Sequence, residues 1–216
     1  MLFAGVQTLS TKEVVSDRIF THPDHIFYDQ RLLAYMARRV CTLFETGQAT
    51  PFHPRMSTFN LVEPDGRSHR IILARPKELA CAKELTVVGF FGQRRVEGIE
   101  HLPMNSTDHL LVETMREHAG LFSYSTQELT CGNFVNLVLF QDEEAKNFWG
   151  RCPVHHKFAS EISPQYYYSI RIYNGDLPQG LNQSDRLILN WAKYYDYRSE
   201  PVWQGARPLH ASQGEG

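Results

Sequence analysis

The sequence predicts an α+β fold built around a β-α-β-β-α-β unit between Leu85 and Asn174. Two observations carry that expectation. The segment from Phe134 to Asn174, FVNLVLFQDEEAKNFWGRCPVHHKFASEISPQYYYSIRIYN, sets a tryptophan and two histidines on a helix between two apolar strands. Just upstream, a strand-like run (Leu85 to Arg95), a helix-like run (Thr107 to Ala119) and a third strand-like run (Leu121 to Leu129) supply the rest of the order.

The elements follow from local patterns. Leu32, Leu33, Met36, Val40, Leu43 and Phe44 repeat at helical spacing, which predicts a helix over Tyr28 to Thr46 that stops at Gly47. Thr58 to Glu63 and His69 to Ala74 flank Pro64-Asp65-Gly66 and read as a hairpin, because proline and glycine supply the dihedral angles of a tight turn. A short helical piece, Lys77 to Lys83, leads into the strand at Leu85. Pro153 lacks an N–H and clashes with the preceding turn, so the second helix of the unit should kink or restart there. Beyond Gly175, Ser184 reads as the cap of a short helix from Asp185 to Tyr195, followed by a polar, mobile tail after Gln204. The chain divides into an N-terminal helix and hairpin extension (1–80), the α+β unit (81–175) and a C-terminal helix with tail (176–216).

The strands from Leu85 and from Phe134 show little alternation, so the sheet they form is covered on both faces. Two helices cover one face of a four-stranded sheet. The other must meet either the N-terminal extension or a second copy of the sheet, and a homodimer is the economical expectation.

Composition narrows the class. The chain has 216 residues, 42% of them hydrophobic and 12% aromatic, enough for a sizeable core. Its net charge of −2, from 22 basic and 24 acidic residues, with no long basic run, argues against a nucleic-acid partner. The start lacks a basic n-region and no segment has the length and apolarity of a bilayer span, so a soluble, cytoplasmic protein with no membrane contact is expected. Cys41, Cys81, Cys131 and Cys152 are scattered without CxxC spacing, which predicts reduced, mostly buried thiols.

The strand, then Asp142-Glu143-Glu144-Ala145, then Phe148-Trp149, a break, His155-His156-Lys157-Phe158 and a strand of tyrosines together resemble the antibiotic biosynthesis monooxygenase family. There a strand is followed by an acidic helix start, with an aromatic and a histidine one or two turns apart on the second helix. The resemblance covers roughly residues 85–174. It implies a ferredoxin-like βαββαβ sheet forming a dimeric α+β barrel, with a pocket between each sheet and its helices. It also implies oxygenation of a small aromatic or enolic compound without metal or flavin, or, in other relatives, haem binding.

The candidate catalytic residues are then Trp149, His155 and His156, and the candidate ligand contacts Phe90, Tyr124, Asn136, Phe148 and Arg171. Trp149 either fills the core or walls the pocket. Adjacent histidines on a helix point about 100° apart, so only one of His155 and His156 can face a cavity, where it would take the proton of an acidic hydroxyl. Asn136 and Arg171 are polar residues within apolar strands, and a buried polar group needs a partner or costs about 1–3 kcal/mol. Arg94-Arg95 closes the first strand as a solvated end or as a lure for an anionic ligand. Cys152, His155 and His156 are too crowded in one short segment to complete a tetrahedral metal shell, and Pro23 prevents a helical i, i+3 pair of His22 and His25, so these, with His53 beyond, read as surface histidines of a loop. Three readings follow: a cofactor-independent monooxygenase, a haem-binding protein of the same fold, or a non-catalytic binding or assembly module whose N-terminal extension fills the pocket. Haem-degrading relatives place their ligating histidine near Ala159 or Ser160, where this chain has none.

Overall fold

The computed structural model describes residues 3–52, 56–129 and 132–210; Cys131 and His53 lie outside them. The elements run β1 (Phe3–Thr8), α1 (Asp24–Glu45), β2 (Ser57–Val62), β3 (Ser68–Leu73), α2 (Pro76–Cys81), β4 (Leu85–Arg94), α3 (Met104–Glu117), β5 (Leu121–Glu128) and β6 (Phe134–Phe140). They continue through α4 (Glu143–Arg151), α5 (Pro153–Lys157), a π-helical turn (Phe158–Ile162), α6 (Ser163–Tyr166), β7 (Tyr167–Leu177), β8 (Ile188–Asp196) and β9 (Val202–Pro208).

Among the described residues nine strands form one open sheet in the order β1-β9-β8-β7-β4-β6-β5-β3-β2. Every neighbouring pair is antiparallel except β1 with β9. This corrects the expected four-stranded, ferredoxin-like sheet closing into a dimeric α+β barrel. The predicted order of six elements is present as β4-α3-β5-β6-α4-β7, but its sheet does not end at β7 and β5. β3 pairs along the outer edge of β5, and β8 along that of β7, so backbone donors and acceptors that a four-stranded unit would expose are bonded within the chain.

The second face is covered by α1 and not by another copy. Leu33, Met36, Ala37, Val40 and Leu43 are buried against Val87, Phe91, Val135, Leu137, Leu139 and Ala192, the side chains that β4, β6 and β8 turn to that face. Each large apolar side chain so buried contributes roughly 1.5–3 kcal/mol. Helix and sheet approach closely at Gly89, where a Cβ would sit 2.4 Å from Leu33 Cδ1. With α1 in place, the reasoning that called for a second copy loses its premise.

Electrostatics reinforce this layer. Asp29 on α1 accepts from Arg171 Nε at 2.7 Å and Nη2 at 3.1 Å, and from the Tyr173 hydroxyl at 2.8 Å. The Arg171 guanidinium also lies 5.2 Å from the centre of the Phe91 ring.

The C-terminal helix expected over Asp185 to Tyr195 is a further correction. A 3-10 turn, Leu181–Arg186, precedes strand β8, along which burial alternates from Trp191 to Asp196, and β9 runs to Pro208, into the start of the segment expected as a tail, whose residues 211–216 lie outside the described ones. The β7–β8 crossing is tight at Gly175, where a Cβ would meet the Ile188 carbonyl oxygen at 2.0 Å. Of the described cysteines only Cys41 is buried; Cys81 is exposed and Cys152 half-buried. Among the described residues no helix is long and apolar enough to cross a membrane.

Candidate functional site

The opposite face of the sheet carries α3 to α6, and between them lies a cavity of about 940 Å³. That is at the upper end of the roughly 300–1,000 Å³ usual for small-molecule sites. Strand alternation decides the floor. On β4 the even-numbered residues Val88 and Phe90 face the cavity while Val87 and Phe91 face α1, and on β6 Asn136 and Val138 do so while Val135 and Leu137 face α1.

The paired residues Asn60, Arg70, Thr126, Asn136, Phe90, Ile172 and Lys193 form one row from β2 to β8, all lining the cavity. The row is polar from β2 to β6, apolar over β4 and β7, and ends on a lysine. Beside it the Tyr167 ring lies over Gly92, where a Cβ would meet Tyr167 Cε1 at 2.2 Å, and packs edge-on to Phe90 at 5.3 Å. Burial pushes the Tyr124 and Tyr167 phenols above their usual range, so both hydroxyls stay protonated as donors.

Local sequence builds the roof. The Asp142 carboxylate caps α4 by accepting from the Ala145 N–H at 2.8 Å, which starts the helix at Glu143 and directs Trp149 inward. Pro153 ends that helix and begins α5, as its missing N–H requires, and the break turns His155 back onto Trp149 with ring centres 5.1 Å apart. The π-helical turn that follows sets Phe158 on the same cavity.

Six of the eight expected site residues line the cavity: Phe90, Tyr124, Asn136, Trp149, His155 and His156. His155 is the inward member of the pair, for its Nδ1 is buried whereas His156 is an exposed residue at the rim. Two expectations fail. Arg171 points to the other face and is engaged by Asp29, and Phe148 is 65% exposed beside His118. The Arg94-Arg95 pair does not line the cavity either; its guanidinium groups sit over the Tyr166 and Tyr168 rings. Sequence reasoning passed over Arg70, Asp108, Asn174 and Lys193, all cavity-lining. Arg70 follows Ser68 and His69 at the polar start of its strand, so no lone polar side chain in an apolar run marked it.

Three cavity-lining residues carry a buried side-chain atom without a hydrogen-bond partner among the described residues: Thr126 Oγ1, Asn136 Oδ1 and His155 Nδ1. Burial, with a smaller contribution from His156, pushes the His155 pKa down to about 4, so its imidazole is neutral at pH 7. The sign of the linkage is fixed by that depression. The unfolded chain takes up the His155 proton near the ordinary imidazole value of 6.5, whereas the folded chain resists it until about pH 4. Stability from this group is complete above pH 6.5 and is lost as pH falls towards 4, by about 3 kcal/mol at most. Urea unfolding between pH 4 and 7 should therefore show a flatter pH dependence for His155→Gln than for the parent protein; identical slopes would contradict a buried neutral imidazole.

No protein-family model matches the chain, and no curated protein matches it. A crystal structure of a protein from Shewanella oneidensis aligns with 44% of this chain and 92% of its own, at 15% identity and a TM-score of 0.37.

The arrangement itself is chemically specific. Aromatic side chains wall the cavity, Asn136 presents an unpartnered acceptor, and His155 offers an unpaired ring nitrogen. Among the described residues no group of three or more His, Cys, Asp or Glu side chains converges on a metal position, and Ala159 and Ser160, at the haem-ligating positions of the resembled family, line the cavity without an imidazole.

Proposed function

We propose that this protein binds a flat, weakly acidic aromatic or enolic small molecule in the cavity between sheet and helices and oxygenates it without a resident cofactor. The observation that carries the reading is the set of unsatisfied buried atoms, His155 Nδ1 and Asn136 Oδ1 with Thr126 Oγ1 beside them, in an aromatic cavity of about 940 Å³. A buried polar atom without a partner costs about 1–3 kcal/mol, which a bound ligand recovers.

In this mechanism Trp149 and Phe90 hold the ring while Asn136 and the Tyr167 hydroxyl orient its oxygen substituents. The neutral His155 takes the hydroxyl proton. Its lowered pKa reflects the cost of a lone imidazolium in a dry site, and that cost falls when the anion formed beside it serves as counter-ion. The electron-rich anion then reduces dioxygen. One oxygen atom enters the ring and the other leaves as water, so a hydroxyarene becomes a quinone with all four electrons drawn from the substrate. The similarity of the Asp142 to Phe158 segment to the monooxygenase family supports this chemistry. An assembly module with a plugged cavity is disfavoured, since α1 packs on the opposite face and β2 and β3 line the cavity instead of filling it.

The test is mass spectrometry of whatever co-purifies, followed by oxygen-electrode assays with a panel of hydroxynaphthalenes. An aromatic co-purifying ligand and uptake that yields a quinone are expected. A protein that neither carries nor binds any such compound would end the proposal.

A further inference from the structure

The polar end of the cavity specifies what the ligand carries. Arg70 on β3 meets Asp108 on α3 through the end of its guanidinium fork, Nη1 to Oδ2 at 2.7 Å and Nη2 to Oδ1 at 2.6 Å. That grip fixes the plane of the guanidinium but uses two of its five N–H groups. Its side edge, made of the Nε–H and the second Nη2 proton, has no protein partner among the described residues, and neither nitrogen belongs to the buried, unpartnered atoms. The Arg70 side chain is 30% exposed, so the free edge is reachable.

We infer that Arg70, oriented by Asp108, is the anchor for a carboxylate on the aromatic ligand, received side-on by Nε and Nη2; this rests on the small-molecule reading of the cavity. A guanidinium held in one plane binds a carboxylate in parallel two-point geometry with less ordering cost than a free arginine. Its neighbours fit the task. Asn60 and Thr126, paired with Arg70 on either side, and Ser68 nearby are uncharged hydrogen-bonding residues on the cavity wall. Asn136 is the next residue of the row beyond Thr126, and Phe90 the next after that. A molecule with a carboxylate at one end and a ring system at the other therefore meets charge, then hydrogen bonds, then aromatic surface in that order.

The other cavity-lining cations are less suited. Lys146 is paired with Glu143, and Lys193 stands five strands from Arg70, about 24 Å along the row, on a part of the sheet where its side chain is exposed. A charge there is strongly hydrated and offers no planar fork.

The experiment uses two isosteric probes, 2-naphthoate and 2-naphthamide, titrated calorimetrically into the full chain. The parent protein should bind the anion at least about fivefold more tightly, a preference that shrinks with added salt. Arg70→Gln should abolish the preference and leave naphthamide affinity unchanged, while Lys193→Gln should leave both intact. Arg70→Lys, which keeps charge but loses the fork, should retain only part of the preference and guards against a folding defect in the glutamine variant. Equal affinity for the two probes in the parent, or loss of the preference in Lys193→Gln in place of Arg70→Gln, would overturn the anchor while leaving the cavity reading intact. Binding of neither probe would instead count against the cavity reading itself.

Discussion

Asp29→Ala is expected to lower the free energy of unfolding by about 3–5 kcal/mol in urea titrations, the cost of leaving a buried charge without its partner. The aspartate is 6% exposed and holds both Arg171 and the Tyr173 hydroxyl across the α1–sheet boundary. Its removal strands a guanidinium flanked by the Phe91 ring and leaves a phenol without an acceptor. Asp29→Asn should lose less, since the amide oxygen still accepts from Tyr173. Replacing both ends of the pair, as Asp29→Leu with Arg171→Met, should recover most of the loss, because an apolar pair of similar volume removes the desolvation penalty altogether. A loss below about 1 kcal/mol for Asp29→Ala would mean that apolar packing alone holds α1 on the sheet.

His155→Ala is expected to reduce oxygen uptake with the best hydroxynaphthalene by on the order of 10²–10⁴-fold, the contribution of a positioned general base. Affinity for the same compound should fall far less, since the aromatic walls remain. His156→Ala should change little, for that side chain sits at the rim. The comparison separates chemistry from binding: an equal fall in affinity and turnover would make His155 a ligand contact and nothing more, and an unchanged rate would remove it from the mechanism.

Much of this site was legible along the chain because it is built locally. Asp142, Trp149, Pro153 and His155 lie within 14 residues, and a cap, an inward aromatic, a helix break and the histidine after it follow from short-range rules. Asn136 was legible too, since a polar side chain in an apolar strand needs a partner. The same logic misled at Arg171. Its partner, Asp29, is 142 residues away and reaches it only after α1 has docked, a contact with no trace in local pattern. Arg70 escaped notice for a related reason, as nothing in the hairpin shows that β3 will pair with β5 and turn its arginine towards α3.

The C-terminal segment shows how a partner strand overrides local preference. Ser184 followed by Leu187-Ile188-Leu189 and Trp191-Ala192-Lys193 is compatible with a capped helix. Beside the open edge of β7 the same residues gain a ladder of backbone bonds, interrupted by one irregularity at Asn190, and bury Leu189, Ala192 and Tyr194 in the core.

The sequence by itself determined the elements from α1 to β7, the order β-α-β-β-α-β, the need to cover both faces of the central strands, and the local build of the Trp149–His155 corner. Each rests on hydrophobic period, capping or proline chemistry, which act within a few residues. Only the tertiary structure decided that the sheet continues to nine strands, that α1 and not a second copy covers its far face, and which polar side chains open onto the cavity. Strand pairing and ion pairing join residues that the chain keeps far apart, and their free energy appears only when those segments meet.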